Sequence, residues 1–188
     1  MGIVVKAYRI HEEVALKIRR VDADRAGMRH EAEMLTAANK VDVGPKLLGV
    51  SDNFLLMEFI EGKLFPEWLD SCYDKVRIRR VLRNLLEQCW RLDTAGIDHG
   101  ELSHAPKHIL VNAFDVPFIV DFETASLNRK PSNVTSLAQF LFINGVIADK
   151  IANILGWADR KTIICVLRHY KLNRNRENFD MILKACGI

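Results

Sequence analysis

Hydrophobic and polar positions alternate over the first twenty residues and then settle into a longer rhythm. Ile3 to Ile10 and Val14 to Arg19 read as two strands joined by a polar turn at His11 to Glu13, the pattern of a hairpin. In the second strand a period of two sets Val14, Leu16 and Ile18 on one face and Ala15 and Lys17 on the other. From Asp24 to Asn39 the spacing becomes helical, with Asp22 or Asp24 as N-cap and Val43-Gly44-Pro45 ending the region. Met28, Glu31, Ala32 and Leu35 fall on one stripe of that helix, and Glu33 points roughly the other way. An acid inside an apolar stripe either finds a cation, for which Lys17 is the natural choice, or sits at the edge of the stripe in water.

Lys46 to Val50 and Phe54 to Glu58 read as two further strands around a turn at Ser51-Asp52-Asn53. After Gly62 the pattern changes from strands to helices: Phe65 to Cys72, then Tyr73 to Ala95, whose Ile78, Val81, Leu82, Leu85, Leu86, Cys89 and Leu92 make a broad apolar stripe. Helices are also expected at Thr135 to Phe142, Ile147 to Leu155, Arg160 to Tyr170 and Arg176 to Cys186. Ser132 and Asn133 are cap candidates there, and Gly145 and Gly156 are breaks. Between these groups stands HGELSHAPKHILVNAFDVPFIVDFE, His99 to Glu123: a loop, an apolar run, a turn at Asp115 to Pro117, a second apolar run, then Asp121.

Strands followed by helices in 188 residues predict an α+β chain, forming one compact unit or two small lobes with enough apolar residues for a true core. Cys72, Cys89, Cys165 and Cys186 are scattered with no C-x-x-C pair, as expected for reduced thiols in a cytoplasmic protein. No signal-peptide core and no bilayer-length apolar run is present in the sequence, so no membrane partner is expected. The net charge of +3 is too slight to argue for nucleic acid, and the basic run Lys75, Arg77, Arg79, Arg80 and Arg83 is read as a solvated face.

Two carboxylates, Glu101 and Asp121, stand on this loop-strand-turn-strand stretch. Phosphoryl transfer uses such a pair, one to position or deprotonate a hydroxyl and one to hold a metal on the phosphates. Here the chain resembles the protein-kinase superfamily. His99-Gly100-Glu101-Leu102 looks like its catalytic loop, Asp121-Phe122-Glu123 like its metal-binding D-F-G, and Val14-Ala15-Leu16-Lys17 like its V-A-I-K strand. His108 falls where the family has a metal-binding Asn, and Leu55 to Gly62 resembles the hinge between the lobes. The compactness after Asp121, with no room for a long activation segment, is similar to the small atypical kinases of the RIO and KEOPS-complex type and related archaeal Ser/Thr kinase-like proteins.

The resemblance implies a bilobal fold, with a β-rich lobe over residues 1–61 carrying one helix and a helical lobe over 62–188. It implies Mg-ATP in the cleft, with manganese as an alternative metal, and a Ser or Thr hydroxyl of a protein, or a small hydroxyl compound, as acceptor. Ala15 would leave room for adenine, Met57 would be the gatekeeper, and backbone groups of Glu58 and Ile60 would bond the base edge. Lys17 would hold the phosphates, oriented by Glu31. Glu101 would orient the hydroxyl or accept its proton, His108 would assist the loop or the metal, and Asp121 would chelate the metal.

Three departures from the family pattern shape the expectation. Met1 to Ala7 resembles only the tail of the Gly-rich loop, which predicts weaker phosphate binding. Glu101 stands in place of Asp in a loop two residues longer than usual, and a misplacement of about 1 Å can cost about a hundredfold in rate. The imidazole of His108 replaces an oxygen donor and argues for one metal, for manganese, or for none at that position. The alternative is therefore a pseudokinase that uses the fold as a binding scaffold. A rival from other chemistry, a transition-metal hydrolase or deaminase built on His99, Glu101, His104 and His108, lacks the P-C-x-x-C and H-E-x-x-H partners it would need.

Overall fold

The computed structural model describes residues 2–19, 26–156 and 159–188. Its N-terminal part is an antiparallel sheet of β1 (Ile3–Arg9), β2 (Glu12–Ile18), β3 (Leu47–Val50) and β4 (Phe54–Glu58), in the spatial order β1-β2-β4-β3. The hairpin turn is tighter than the sequence predicts. Arg9 pairs with Glu12, so Ile10 and His11 alone make the turn and Glu13 belongs to the strand. In β2 and β4, Ala15 lies opposite Met57 and Lys17 opposite Leu55. Those four residues therefore share one face of the sheet.

Helix α1 (Ala26–Asn39) covers that face, with Met28 and Ala32 packed on Leu55 and with Leu47 and Met57 alongside. Glu31 and Leu35 of its predicted stripe are buried too, and Glu33 is exposed. The proposed caps Asp22 and Asp24 lie outside the described residues.

The chain does not pass directly to helices at Gly62. Gly62–Leu64 is strand β5, which pairs antiparallel with β6 (Ile109–Asn112), itself paired with β7 (Pro117–Ile119). A side chain at position 62 would put its Cβ 2.6 Å from the Val111 carbonyl oxygen, so the strands meet here only because residue 62 is glycine. Pro117 is paired opposite Val111 and opens β7, where a missing N–H is tolerated. The turn therefore lies earlier than expected, between Asn112 and Pro117.

The remaining elements are α2 (Phe65–Ser71), α3 (Lys75–Thr94), α4 (Asn133–Phe142), α5 (Val146–Leu155), α6 (Arg160–Leu172) and α7 (Arg176–Cys186). Helix α3 starts at Lys75 rather than Tyr73 because the Asp74 carboxylate caps it, accepting from the Val76 and Arg77 N–H groups at 2.8 and 3.2 Å. Its stripe from Ile78 to Leu92 is fully buried at the centre of the core. Leu137 and Leu141 of α4, Ile163 and Tyr170 of α6, and Phe179 and Ile182 of α7 belong to the same core. The last two helices thus close the body of the molecule.

Two expectations for this region are corrected. Ser132 gives α4 no side-chain cap. The cap comes from Asp93 of α3, which accepts from the Asn133 N–H at 2.9 Å and the Val134 N–H at 3.4 Å, along with the Asn133 amide and the Tyr170 hydroxyl. The basic face of α3 is not simply solvated either. Arg77 and Arg80 both bond the carboxylate of Asp115, which also accepts from the Trp68 indole at 3.0 Å.

The fold is of mixed α+β class, with small antiparallel sheets and helices in one body. Among the described residues no single helix is long and apolar enough to cross a membrane. All four cysteines are free thiols, and Cys165 alone is exposed.

Candidate functional site

A cleft of about 320 Å³ opens between the four-stranded sheet and the β6–β7 region. Its apolar lining comes from Val4, Ala15, Met57, Phe59, Leu110 and Val120. Lys17, Glu31, Glu58, Ile60, Lys107 and Asp121 also line it, with Gly2 and Pro45. The structure thus brings Ala15, Lys17, Glu31, Met57, Glu58, Ile60 and Asp121 to one cavity from four separate stretches of chain. One detail of the base-edge assignment is corrected: the Glu58 N–H is already bonded to the Lys46 carbonyl at 2.8 Å, which leaves the Glu58 carbonyl as the group able to bond a ligand.

Lys17 is only 3% exposed. Its ammonium donates to both Glu31 carboxylate oxygens at 2.9 and 2.7 Å, to Asp121 Oδ1 at 3.0 Å and to Glu123 Oε2 at 3.1 Å. Burial opposes that charge, but Glu31 and Asp121 outweigh it and hold the amine above its ordinary range. Burial also pushes Glu31 up, with Asp121 and Glu123 adding to the push against the pull of Lys17. Asp121 and Glu123 feel the same desolvation, but the ammonium prevails and both lie below the ordinary carboxylate value. Three carboxylates about one ammonium leave an excess of negative charge, a setting that favours a further cation.

Asp121 holds a left-handed backbone, φ 68°, which costs a non-glycine residue about 1 kcal/mol and persists only where the surroundings impose it. Phe122 supplies much of that constraint. It is buried against the His99 ring, with centroids 5.1 Å apart, and close to Leu35 and Gly44, where an added Cβ would meet its ring at 2.9 Å. His99 is wholly buried and makes a 3.1 Å contact through Nε2 with the Val120 carbonyl, and burial drops its pKa to about 4, so it is a neutral support beneath the loop. Gly100 holds φ 91°, a backbone conformation that favours glycine, and an added Cβ there would also crowd the Thr124 carbonyl at 3.2 Å.

The Glu101–His108 loop folds as a short 3-10 segment, Leu102–Lys107, with a kink at His104. Glu101 and His108 consequently stay together, with Glu101 Oε2 3.1 Å from His108 Nε2. His108 Nδ1 lies 3.8 Å from Asp121 Oδ2. His104 is exposed beside Ser103, and His99 is sealed below, so the four-residue cluster of the hydrolase reading is not assembled. Among the described residues two sets of side chains present donor atoms within 4.8 Å of one another: Glu101, His108 and Asp121, and Glu31, Asp121 and Glu123. Carboxylate oxygens fit magnesium, whereas the imidazole fits a transition metal better.

The contact of Glu123 with Lys17 was not expected, although Glu123 stands two places beyond Asp121 in the same short motif. Nor was the contact of His30 with Ala125 expected: His30 Nε2 lies 2.8 Å from that carbonyl and ties α1 to the segment after Asp121. No local pattern marks that contact.

A scan against known protein families finds no match. Over 95 residues, 50% of this chain, the sequence is 32% identical to the uncharacterized protein MJ1211 of Methanocaldococcus jannaschii, and the matched stretch covers 79% of that protein. The chain belongs to the MJ1211 family. The MJ1211 name assigns no activity, so function is argued from the cleft.

Proposed function

We propose that this member of the MJ1211 family is an ATP-dependent phosphotransferase of protein-kinase-like, bilobal architecture, with lobes over residues 1–61 and 62–188. The observation that carries the reading is the meeting of Lys17 and Asp121, 104 positions apart, at 3.0 Å in the wall of a largely apolar cleft, with Glu31 gripping the same ammonium. The cleft volume is within the range of small-ligand sites, and an apolar cavity with a few convergent charges is the usual form of such a site.

In this reading the adenine lies against Ala15 and Met57, with its edge on the Glu58 carbonyl and the Ile60 N–H. Lys17 holds the α- and β-phosphates, and Glu31 fixes the lysine. A divalent cation held through Asp121 supplies neutralisation of the phosphate charge. Glu101 positions the acceptor hydroxyl and takes its proton as the new O–P bond forms and the γ-phosphoryl leaves ADP. The acceptor is a Ser or Thr hydroxyl of a protein or a small hydroxyl compound.

A rise in melting temperature with Mg-ATP, together with phosphate transfer that falls at least about a hundredfold in Glu101→Gln and Asp121→Asn, is the expected result. Absence of any ATP-induced shift ends the reading. The second reading, a pseudokinase, is favoured by one contact: Glu123 occupies the Lys17 ammonium that a triphosphate needs. A shift with ATP but no transfer or hydrolysis selects it.

A further inference from the structure

We propose that His108 and Asp121 form a site that selects a transition-metal dication of the manganese type over magnesium, with Glu101 orienting the imidazole. The inference deepens the reading above, from which it takes only the use of Asp121 as a metal ligand.

Glu101 Oε2 lies 3.1 Å from His108 Nε2, and an ionised carboxylate can only accept, so the neutral ring that a metal ligand requires would keep its proton on Nε2. In that form Nδ1 carries the lone pair. That atom is shielded from solvent and has no hydrogen-bond partner among the described residues. It faces Asp121 Oδ2 at 3.8 Å, too far for a hydrogen bond. The other oxygen, Oδ1, is committed to Lys17, so Oδ2 is the atom turned to the ring.

In that form of the ring Nδ1 and Oδ2 are two lone-pair atoms 3.8 Å apart, and a cation held by both relieves their repulsion. A separation of 3.8 Å is within the roughly 4.2 Å that two bonds of about 2.1 Å can span, so one ion reaches both atoms. Carboxylate, histidine and metal in series is a recurrent arrangement, in which the outer carboxylate fixes the tautomer and raises the basicity of the ligating nitrogen. Nitrogen at this position disfavours magnesium, which prefers hard oxygen donors, and favours a first-row transition ion. The excess of carboxylates around Lys17 adds to the attraction without setting the preference.

The test uses the full chain without nucleotide, titrated with MnCl2 and followed by the loss of the free-ion electron paramagnetic resonance signal, with MgCl2 as competitor. Manganese should bind at least about tenfold more tightly than magnesium, and the spin-echo spectrum of bound manganese should show coupling to ¹⁴N. In His108→Asn, which offers an amide oxygen at similar size, the coupling should vanish and the preference fall by about tenfold or more. Asp121→Asn should weaken manganese binding and serves as a second variant. Equal affinities for the two ions, or ¹⁴N coupling that persists in His108→Asn, overturns the inference. Manganese binding with nitrogen coupling but no ATP-induced shift would sustain it while ending the phosphotransferase reading. ATP binding with no metal preference would do the reverse.

Discussion

Removing the Lys17 ammonium leaves Glu31 buried beside two further carboxylates, so Lys17→Met is expected to cost about 3–5 kcal/mol of stability, measured by denaturant unfolding. Replacing both partners, as in Lys17→Met with Glu31→Leu, should return part of that loss, because the stranded charge rather than the missing contact dominates the cost. Glu123 predicts the opposite sign for ligand binding. It is partly exposed and competes for the same ammonium, so Glu123→Gly should keep the Lys17–Glu31 pair and tighten ATP binding by up to about tenfold, read by calorimetry. Unchanged or weaker binding in that variant would show that Glu123 does not stand in the way of the phosphates.

Single elements are tied down by polar contacts of long sequence range. Asp115, at a left-handed position in the β6–β7 turn, joins that turn to α2 through Trp68 and to α3 through Arg77 and Arg80. Asp115→Ala strands the indole N–H and both guanidinium contacts and should cost about 2–3 kcal/mol. The bond from Arg77 leads the pull that holds the Asp115 pKa below its ordinary value of 3.8. Its contribution is therefore complete above that value and fades as the pH falls through it towards the folded-state pKa. The stability gap between wild type and Asp115→Asn should hold from about pH 6 to about pH 5 and narrow below that towards about pH 3.

At the start of α4, Asn133→Ala should cost about 2–4 kcal/mol, because it orphans the Ile97 carbonyl, the His99 N–H and part of Asp93. Ser132→Ala should change stability by about 0.5 kcal/mol or less as far as capping is concerned, since its hydroxyl caps nothing. This contrast marks what was legible in the sequence. The stripes of α1 and α3 follow from spacing, and Lys17, Glu31 and Asp121 stand in short patterns that point to one site. A three-residue strand such as β5 has too few positions to show a period, and a cap supplied by Asp93 across 40 positions leaves no local trace. The pairing of Glu101 with His108 depends on how a loop folds back, which residue order alone does not convey.

Across the whole molecule one apolar core runs from Met34, Leu35 and Ala38 of α1 through α3 to Phe179 and Ile182 of α7. Such continuity predicts cooperative unfolding, with far-ultraviolet dichroism and tryptophan fluorescence following the same curve. Phe179→Ala, at the far end of that core, should lower stability by about 3–5 kcal/mol. The distribution of thiols gives this cooperativity its own counter. Cys72, Cys89 and Cys186 are buried, and burial lifts the Cys186 pKa to about 12 and that of Cys89 well above the ordinary thiol range. Cys165 lies open on α6. A maleimide should therefore tag one sulfur on the native chain and four once the interior opens, with little at two or three, so mass spectrometry of the labelled chain would tally folded and unfolded molecules one by one.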